Sequence, residues 1–393
     1  MDNLKRLLAE NTEFEARLNS RRHFLKDCTL GLGGIALGSL LNSCSFDQKK
    51  AYDYSASRAL NPMAPLAPPL SPKVKSVIYL HMVGAPSQLE LFDYKPELAK
   101  LHNKPCPASL IEGKEFAFIE GVPNMLGPQA TFKKAGDSGN WVSNHLPHFK
   151  NVVDEVSFLK AVHTDQFNHG PAQLLMFTGS ARFGRPSLGS WITYGLGSEN
   201  NNLPGFVVLP RSSYPQGGAS NWSNGFLPAD HQGTPLRPEG SPILDLNAPA
   251  GMTRQDQREN LDVLASLNRK HLDHRVNQSE LKARMSSYEL AYRMQMEVPG
   301  ILDLEGETEK TRDSYGIGAP KTDSFGRKCL LARRLVEKGV RFVQAYAGNW
   351  DSHDYISRAH GSLIKSVDKP IAALLADLKQ RGLLEDTLVV WCG

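Results

Sequence analysis

An aspartate and a histidine stand one residue apart, directly after a short apolar run of the sequence. The run, residues 342–347, contains several β-forming residues and predicts a buried strand, and Asp351 and His353 follow it in a polar turn. Ligands bind beyond the carboxyl ends of the strands in open α/β sheets. A carboxylate and an imidazole at that place could hold one divalent cation, and the pair suits Zn²⁺ better than Ca²⁺. A second interpretation stays open, in which Asp351 only caps the helix that starts near Tyr355 and His353 is solvated.

Further polar side chains follow the first predicted strand, residues 76–82. A tight turn leads from it to Ser87, Glu90 and Asp93, which would lie at the same edge of the sheet as Asp351. We predict Ser87 as a catalytic residue and Asp93 as a third metal ligand. As an alternative, Ser87 and Asp93 each cap a short helix.

A histidine lies at the start of a predicted helix further along the chain. Pro171 suits the first turn of a helix, which puts Asn168 or His169 near the helix N-terminus. Backbone N–H groups and the helix dipole favour an anion at such a position. We therefore predict that His169 is a catalytic residue beside an anionic substrate group and that Asn168 contacts this group.

Apolar runs alternate with helical patterns from about residue 75 onward. This alternation predicts one α/β domain with a mostly parallel central sheet flanked by helices. The predicted strands are 76–82, 156–162, 205–209, 342–347 and 387–391. The predicted helices include 144–150, 187–197, 323–338, 355–381 and, as one long helix or two, 253–296. Such a sheet would bring Asp351, His353, His169 and the turn before Ser87 to one cavity.

The N-terminal part of the sequence predicts export. The sequence Ser-Arg-Arg-His-Phe-Leu-Lys at 20–26 precedes an uncharged, glycine-rich stretch and resembles a twin-arginine signal. The stretch ends in Leu-Asn-Ser-Cys44, which resembles a lipobox whose cysteine would carry a lipid, although Cys44 could also have no such role. We therefore divide the chain into a signal segment (1–46), a Pro/Ala-rich tether (47–74) and an α/β domain (75–393).

The overall composition excludes some functions. The chain has 393 residues and a formal net charge of +4, which is too small to indicate a nucleic-acid partner. Its five cysteines do not have the spacing of a zinc finger. An apolar strand at 387–391 directly before Gly393 also leads us to expect that the chain is truncated at its C-terminus and that the site is incomplete.

Several motifs together resemble an exported bacterial family catalogued as domain of unknown function fifteen-oh-one. Besides the leader, they are Val-Ile-Tyr-Leu-His-Met-Val-Gly-Ala-Pro-Ser-Gln-Leu-Glu-Leu-Phe-Asp at 77–93, Asn-His-Gly-Pro-Ala at 168–172, Phe-Gly-Arg-Lys-Cys-Leu-Leu-Ala-Arg-Arg-Leu-Val-Glu at 325–337, Asn-Trp-Asp-Ser-His-Asp at 349–354 and Leu-Val-Val-Trp-Cys-Gly at 388–393. The resemblance implies the alkaline-phosphatase/sulfatase superfamily and its alkaline-phosphatase-like sheet. The family's chemistry is not established, so the resemblance implies a fold and a site more than a reaction.

The superfamily resemblance also implies roles for individual residues. Sulfatases carry Cys/Ser-x-Pro-Ser-Arg, and the sequence at 169–173 has the same spacing with His169 at the nucleophile position and Gln173 at the arginine position. This difference removes formylglycine chemistry, and it makes Gln173 a predicted substrate-binding residue. Asp351 and His353 look like the superfamily's metal pair, and the Asp-His that usually follows the last strand would come after Gly393.

Two functions remain open at this point. One is an exported, metal-dependent hydrolase of sulfate or phosphate esters, with Zn²⁺ as the expected cation and a small molecule or glycan as substrate. The other is a non-catalytic surface lipoprotein that binds anionic glycans or a partner protein. In both cases the protein would be periplasmic or attached to the membrane through a lipid at Cys44.

Overall fold

A computed structural model of the chain describes residues 61–393 apart from 67, 69, 115, 117–118, 213–214, 238–242, 244–250, 274–278 and 354. The described residues all belong to one structural unit, Arg58–Gly393. The predicted signal segment, with Arg21, Arg22 and Cys44, lies outside them, as does the first part of the predicted tether.

Five parallel strands form the central sheet in the order β5-β4-β6-β1-β7. They are β1 (Ser76–Met82), β4 (Phe206–Leu209), β5 (Thr234–Pro235), β6 (Phe342–Ala347) and β7 (Thr387–Cys392). A separate antiparallel pair consists of β2 (Phe132–Ala135) and β3 (Asn140–Ser143). The strands at 76–82, 205–209, 342–347 and 387–391 are therefore confirmed, and they share one sheet.

Nine helices of the described residues surround the sheet. They are α1 (Pro96–Lys100), α2 (Ala108–Ile111), α3 (His169–Thr178), α4 (Leu188–Leu196), α5 (Arg254–Asp273), α6 (Ser279–Leu302), α7 (Glu309–Ser314), α8 (Asp323–Glu337) and α9 (Ile356–Gln380). The mixed α/β architecture with a parallel sheet between helices is confirmed. Among these described helices, none has both the length and the apolar character needed to cross a membrane.

Both faces of the sheet are covered, which explains why its central strands are apolar almost throughout. On one face, buried side chains of the strands pack with those of α8 and α9: Ile78, Leu80, Val343, Ala345, Leu330 and Ile364. On the other face, mostly aromatic side chains pack with α3: Tyr79, Phe342, Tyr346, Val208 and Phe177. Burying each large apolar side chain contributes roughly 1.5–3 kcal/mol, so these two layers fix the strand positions that build the site.

Two predicted elements are wrong. Residues 156–162 form no strand: Phe158 packs against Phe92 with ring centroids 5.1 Å apart, while Leu159 is 82% exposed. One aromatic side chain anchors this segment, so its β-forming residues need no pairing strand. Residues 144–150 form turns that lead into a short 3₁₀ helix, Phe149–Asn151, instead of an α-helix. Its first turn is held by Asp368, whose carboxylate accepts from the backbone N–H of Phe149 at 2.8 Å.

Candidate functional site

A cavity of about 260 Å³ lies beyond the carboxyl ends of three neighbouring strands. Its wall contains Val83 and Gly84 after β1, Asn349 and Asp351 after β6, and Arg211 after β4. Because β4, β6 and β1 are adjacent and parallel, the loops that follow them meet at one edge of the sheet.

The N-terminus of α3 supplies the next part of the wall. The side chain of Asn168 caps this helix by accepting from the backbone N–H of Gly170 at 3.2 Å. His169 is the first helical residue and Gln173 lies one turn later, and both line the cavity. The ten-residue helix therefore directs its positive dipole end towards the cavity, an arrangement that favours an anion.

One carboxylate connects two histidines at this edge. Nε2 of His169 lies 3.1 Å from Oδ2 of Asp351, and Nε2 of His353 lies 2.9 Å from Oδ1. The hydrogen bond from His353, with that from His169, holds the pKa of Asp351 below its usual value. His353 is 80% exposed and is not part of the cavity wall. The described hydrogen bonds of Asp351 include none to a backbone group of α9, whose first turn has no side-chain cap. Helix capping therefore does not explain Asp351.

The cavity also contains a cationic group. Arg211 is partly buried, which lowers its pKa, and within the described part of the chain no carboxylate pairs with it. Lys328 of α8 lies near it: burial, together with the charge of Arg211, lowers the pKa of Lys328 to about 8. The ammonium group of Lys328 donates to the backbone carbonyl of Tyr346 at 2.9 Å, at the end of β6. Two positive groups without a described carboxylate partner thus lie close to the cavity.

Backbone contacts hold the two main loops together. Gly84 has φ +90°, and a Cβ atom at this position would lie 2.6 Å from the backbone nitrogen of Asp351. The backbone N–H of Trp350 donates to the carbonyl of Val83 at 2.7 Å. Only a glycine combines this conformation with such a close approach, so Gly84 fixes the position of the Asp351 loop.

A buried histidine of α9 joins the same two loops. His360 accepts a hydrogen bond at Nε2 from the backbone N–H of Ser87, which leaves its proton on Nδ1, 2.9 Å from Oγ of Ser352. Burial lowers the pKa of His360, in agreement with a neutral ring. Ser87 thus lies beside the site, but its side chain is not part of the cavity wall.

Two acidic residues predicted near the site have other contacts. Asp93 forms an ion pair of 3.0 Å with Lys95, and both carboxylate oxygens of buried Glu90 accept from the backbone N–H of Gln129. Neither residue lines the cavity. Among the described residues, no group of three or more His, Cys, Asp or Glu side chains could hold a metal ion. Asp351 and His353 are adjacent, but the described chain adds no third ligand.

Four residues of the site were not found from the sequence. Arg211, Gln216 and Asn349 line the cavity, and His360 lies behind it. Asn349 lies within a motif quoted above, so its place beside Asp351 was the one available signal. The other three belong to no pattern of types and spacing.

The arrangement of strand ends and motifs can now be compared with known proteins. A family model described as "Protein of unknown function (DUF1501)" matches residues 74–393. The chain belongs to this family. The match covers β1 to β7 and every residue of the cavity, so the site lies wholly within the DUF1501 region. The comparison with curated proteins found no match, and neither did the comparison with solved structures.

Proposed function

We propose that the cavity binds the sulfate or phosphate group of an ester and that the protein hydrolyses this ester. One observation carries the proposal: His169, hydrogen-bonded to Asp351, lines the same cavity as the cationic Arg211. A proton-transferring group beside an anion-binding group is what hydrolysis of such esters requires. The parallel sheet and the site at its carboxyl edge also support membership of the alkaline-phosphatase/sulfatase superfamily.

Different residues of the cavity would bind the anionic group, transfer the proton and orient the histidine ring. Arg211 and the N-terminus of α3 would bind the anionic group and stabilise the charge that develops on its oxygens. His169 donates from Nε2 to Asp351, so its unprotonated Nδ1 is the atom that would accept a proton from the attacking water. As the water oxygen bonds to phosphorus or sulfur, the ester bond to the alcohol oxygen would break, and this oxygen would leave and take up a proton from the imidazolium of His169 or from solvent. Asp351 would hold the ring in this tautomer.

The site can also be tested for a bound divalent cation, expected to be Zn²⁺, but the proposed reaction does not depend on it. Asp351 and His353 offer an oxygen and a nitrogen 2.9 Å apart, whereas Asp93 is paired with Lys95. The described residues do not fit a metal site by themselves, so the proton transfer above uses no metal. Elemental analysis of the purified full-length protein and of Asp351→Ala and His353→Ala tests the cation: undiminished metal in both variants would exclude them as ligands.

The hydrolase proposal is tested with chromogenic aryl phosphates and aryl sulfates. We expect turnover by the full-length protein and a loss of kcat of about 10²-fold or more for His169→Gln and Asp351→Asn. His271→Gln, on an exposed position of α5, is the matched control and should keep full activity. Equal activity in all four proteins would contradict the proposed roles.

Binding without catalysis is the second candidate, in the form of a surface lipoprotein for anionic glycans or a partner protein. It is favoured by one observation: the described cavity wall contains no serine, threonine or cysteine that could act as a nucleophile. In that case no ester would be turned over, while anionic glycans would bind and Arg211→Met would weaken their binding. Export by the twin-arginine route and a lipid at Cys44 belong to both candidates.

A further inference from the structure

Gln173 is the most unusual polar side chain of the cavity. It is only 5% exposed, and within the described part of the chain neither its amide nitrogen nor its amide oxygen has a hydrogen-bond partner. Leaving both atoms of a buried amide unpaired is costly, and native proteins seldom do so. Gln173 also lines the cavity, so a ligand bound there could supply the partners that its amide lacks.

An amide places two opposite demands on a ligand. Its NH₂ group donates, so it needs an acceptor such as a phosphoryl or sulfuryl oxygen, while its C=O group accepts and needs a donor. Exchanging the two atoms by a flip of the amide changes nothing, because one of each remains. A ligand that satisfies Gln173 therefore presents both an oxygen acceptor and an O–H donor.

Asp351 adds a second acceptor to the same wall. Its carboxylate accepts from His169 and His353 and has further lone pairs, so it can accept another hydrogen bond from a ligand. An ionised carboxylate repels an anion that carries no proton and attracts one that can donate a hydrogen bond. Arg211 supplies the complementary positive charge, so the wall combines a cation with two acceptors.

These groups distinguish two tetrahedral anions of similar size. Inorganic phosphate keeps one or two protons near neutral pH, and a phosphate monoester, whose second pKa is about 6, keeps one in part of its molecules, so both can donate from a P–OH. A sulfate group is fully ionised and can only accept. Dihydrogen phosphate has two P–OH groups, one for the amide oxygen of Gln173 and one for Asp351, while its other oxygens can accept from the amide nitrogen. A monoester monoanion has one P–OH, which can donate to either acceptor. Sulfate leaves the amide oxygen of Gln173 buried without a donor. Sulfate is also repelled by the Asp351 carboxylate, because it has no proton to place between the two negative charges.

We propose that the cavity is selective for phosphate over sulfate, with Gln173 and Asp351 as the acceptors for phosphate P–OH groups and Arg211 as the counter-charge of the anion. This inference rests on the proposed function for the identity of the site and narrows its substrate class to phosphate monoesters, because a diester keeps no proton near neutral pH. The two are separable, because selectivity is a property of binding that exists with or without turnover.

Isothermal titration of the full-length protein with inorganic phosphate and with inorganic sulfate at pH 6.5 tests this selectivity. We expect phosphate to bind at least about tenfold more tightly than sulfate, the ratio expected when one buried acceptor is left unpaired. Gln173→Met keeps the length of the side chain and removes both polar atoms, so it should lower phosphate affinity and bring the two constants together. Arg211→Met should weaken both anions to a similar extent.

Controls keep the result interpretable. Gln380→Leu, at an exposed position at the end of α9, should keep the wild-type ratio, and circular dichroism checks the fold of each variant. If Gln173→Met does not fold, the ratio of phosphate to sulfate affinity in the wild type and the affinities of Arg211→Met still test the selectivity. Equal affinities in the wild type, an unchanged ratio in a folded Gln173→Met protein, or binding of neither anion would each overturn the inference. A selective protein that hydrolyses no ester would instead contradict the proposed function alone.

Discussion

The ring nitrogen Nε2 of His360 accepts a hydrogen bond of 3.0 Å from the backbone N–H of Ser87, across 273 residues of sequence. The other ring nitrogen of His360 lies 2.9 Å from the hydroxyl of Ser352, the neighbour of Asp351. One buried imidazole therefore joins the loop after β1, the loop after β6 and the first turns of α9. The position of Asp351 depends on a residue that does not touch the cavity.

We predict that His360→Phe loosens this connection. The backbone N–H of Ser87 and the hydroxyl of Ser352 would lose their partner, which should lower the free energy of unfolding by about 1–3 kcal/mol. Urea denaturation measures the loss, and His360→Asn, which keeps an acceptor and a donor, should recover part of it. If His360→Phe is as stable as the wild type, the hydrogen bonds described here contribute nothing to the fold.

The contact between Gly84 and the Asp351 loop gives a second prediction. Gly84→Ala would place a methyl group 2.6 Å from the backbone nitrogen of Asp351, in addition to the strain of φ +90°. Gly113→Ala has strain at φ +72° but no atom within 4 Å, and it is the matched control. In each variant, strain should lower the free energy of unfolding by about 1 kcal/mol. Only Gly84→Ala should also bind phosphate more weakly, because only there does the added methyl group displace the Asp351 loop. Equal phosphate affinity in the two variants would contradict a role of Gly84 in positioning Asp351.

The buried ring of His81 leads us to predict that the stability of the fold depends on pH. Its ring is 2% exposed and packs between Phe177 and Tyr346, and burial lowers its pKa to about 4 from the ordinary 6.5. Between these values the unfolded chain binds a proton that the native protein does not, so stability falls as pH falls from 6.5 to 4. The loss is up to about 3 kcal/mol.

His81→Phe should remove much of this slope in urea denaturation series at several pH values. The pKa of His360 is also lowered, so a smaller slope in the same direction should remain in the variant. An identical slope in the wild type and in His81→Phe would show that other groups cause the acid sensitivity.

The resemblance of residues 20–44 to a twin-arginine signal with a lipobox leads to a prediction of where the protein is found in the cell. Replacing Arg21 and Arg22 by lysine should block export, and Cys44→Ala should release the exported protein into the soluble fraction. Cell fractionation with immunodetection measures both. Membrane retention of Cys44→Ala would contradict the lipid while leaving the export prediction intact.

The parts of the fold that the sequence predicted correctly are those with a strong local signal. β1 and β6 are mostly apolar, and their bounds agree with the prediction because both lie in the sheet interior. Residues 156–162 contain the same β-forming types, but contacts of Phe158 with distant aromatic rings decide their conformation. Local propensity could not distinguish these cases, because the difference lies in tertiary packing.

The same limit applies to the candidate site. His169, Gln173 and Asp351 were found because each belongs to a motif at a strand end or a helix start, and the structure brings these three to one cavity. Arg211 was missed because its position depends on β4 lying next to β6, and strand order is not visible in spacing. The unpaired state of the Gln173 amide is likewise a property of the packed structure alone.

The strand order has a consequence for how the chain reaches this structure during synthesis. β1 is made early, but its residue Val77 pairs with Phe342 on one side and Leu388 on the other. While the ribosome is still making the chain between them, β1 has two open edges and no partner. β1 gains both of its partner strands only after residue 392 has left the ribosome, so formation of this sheet is expected to be slow.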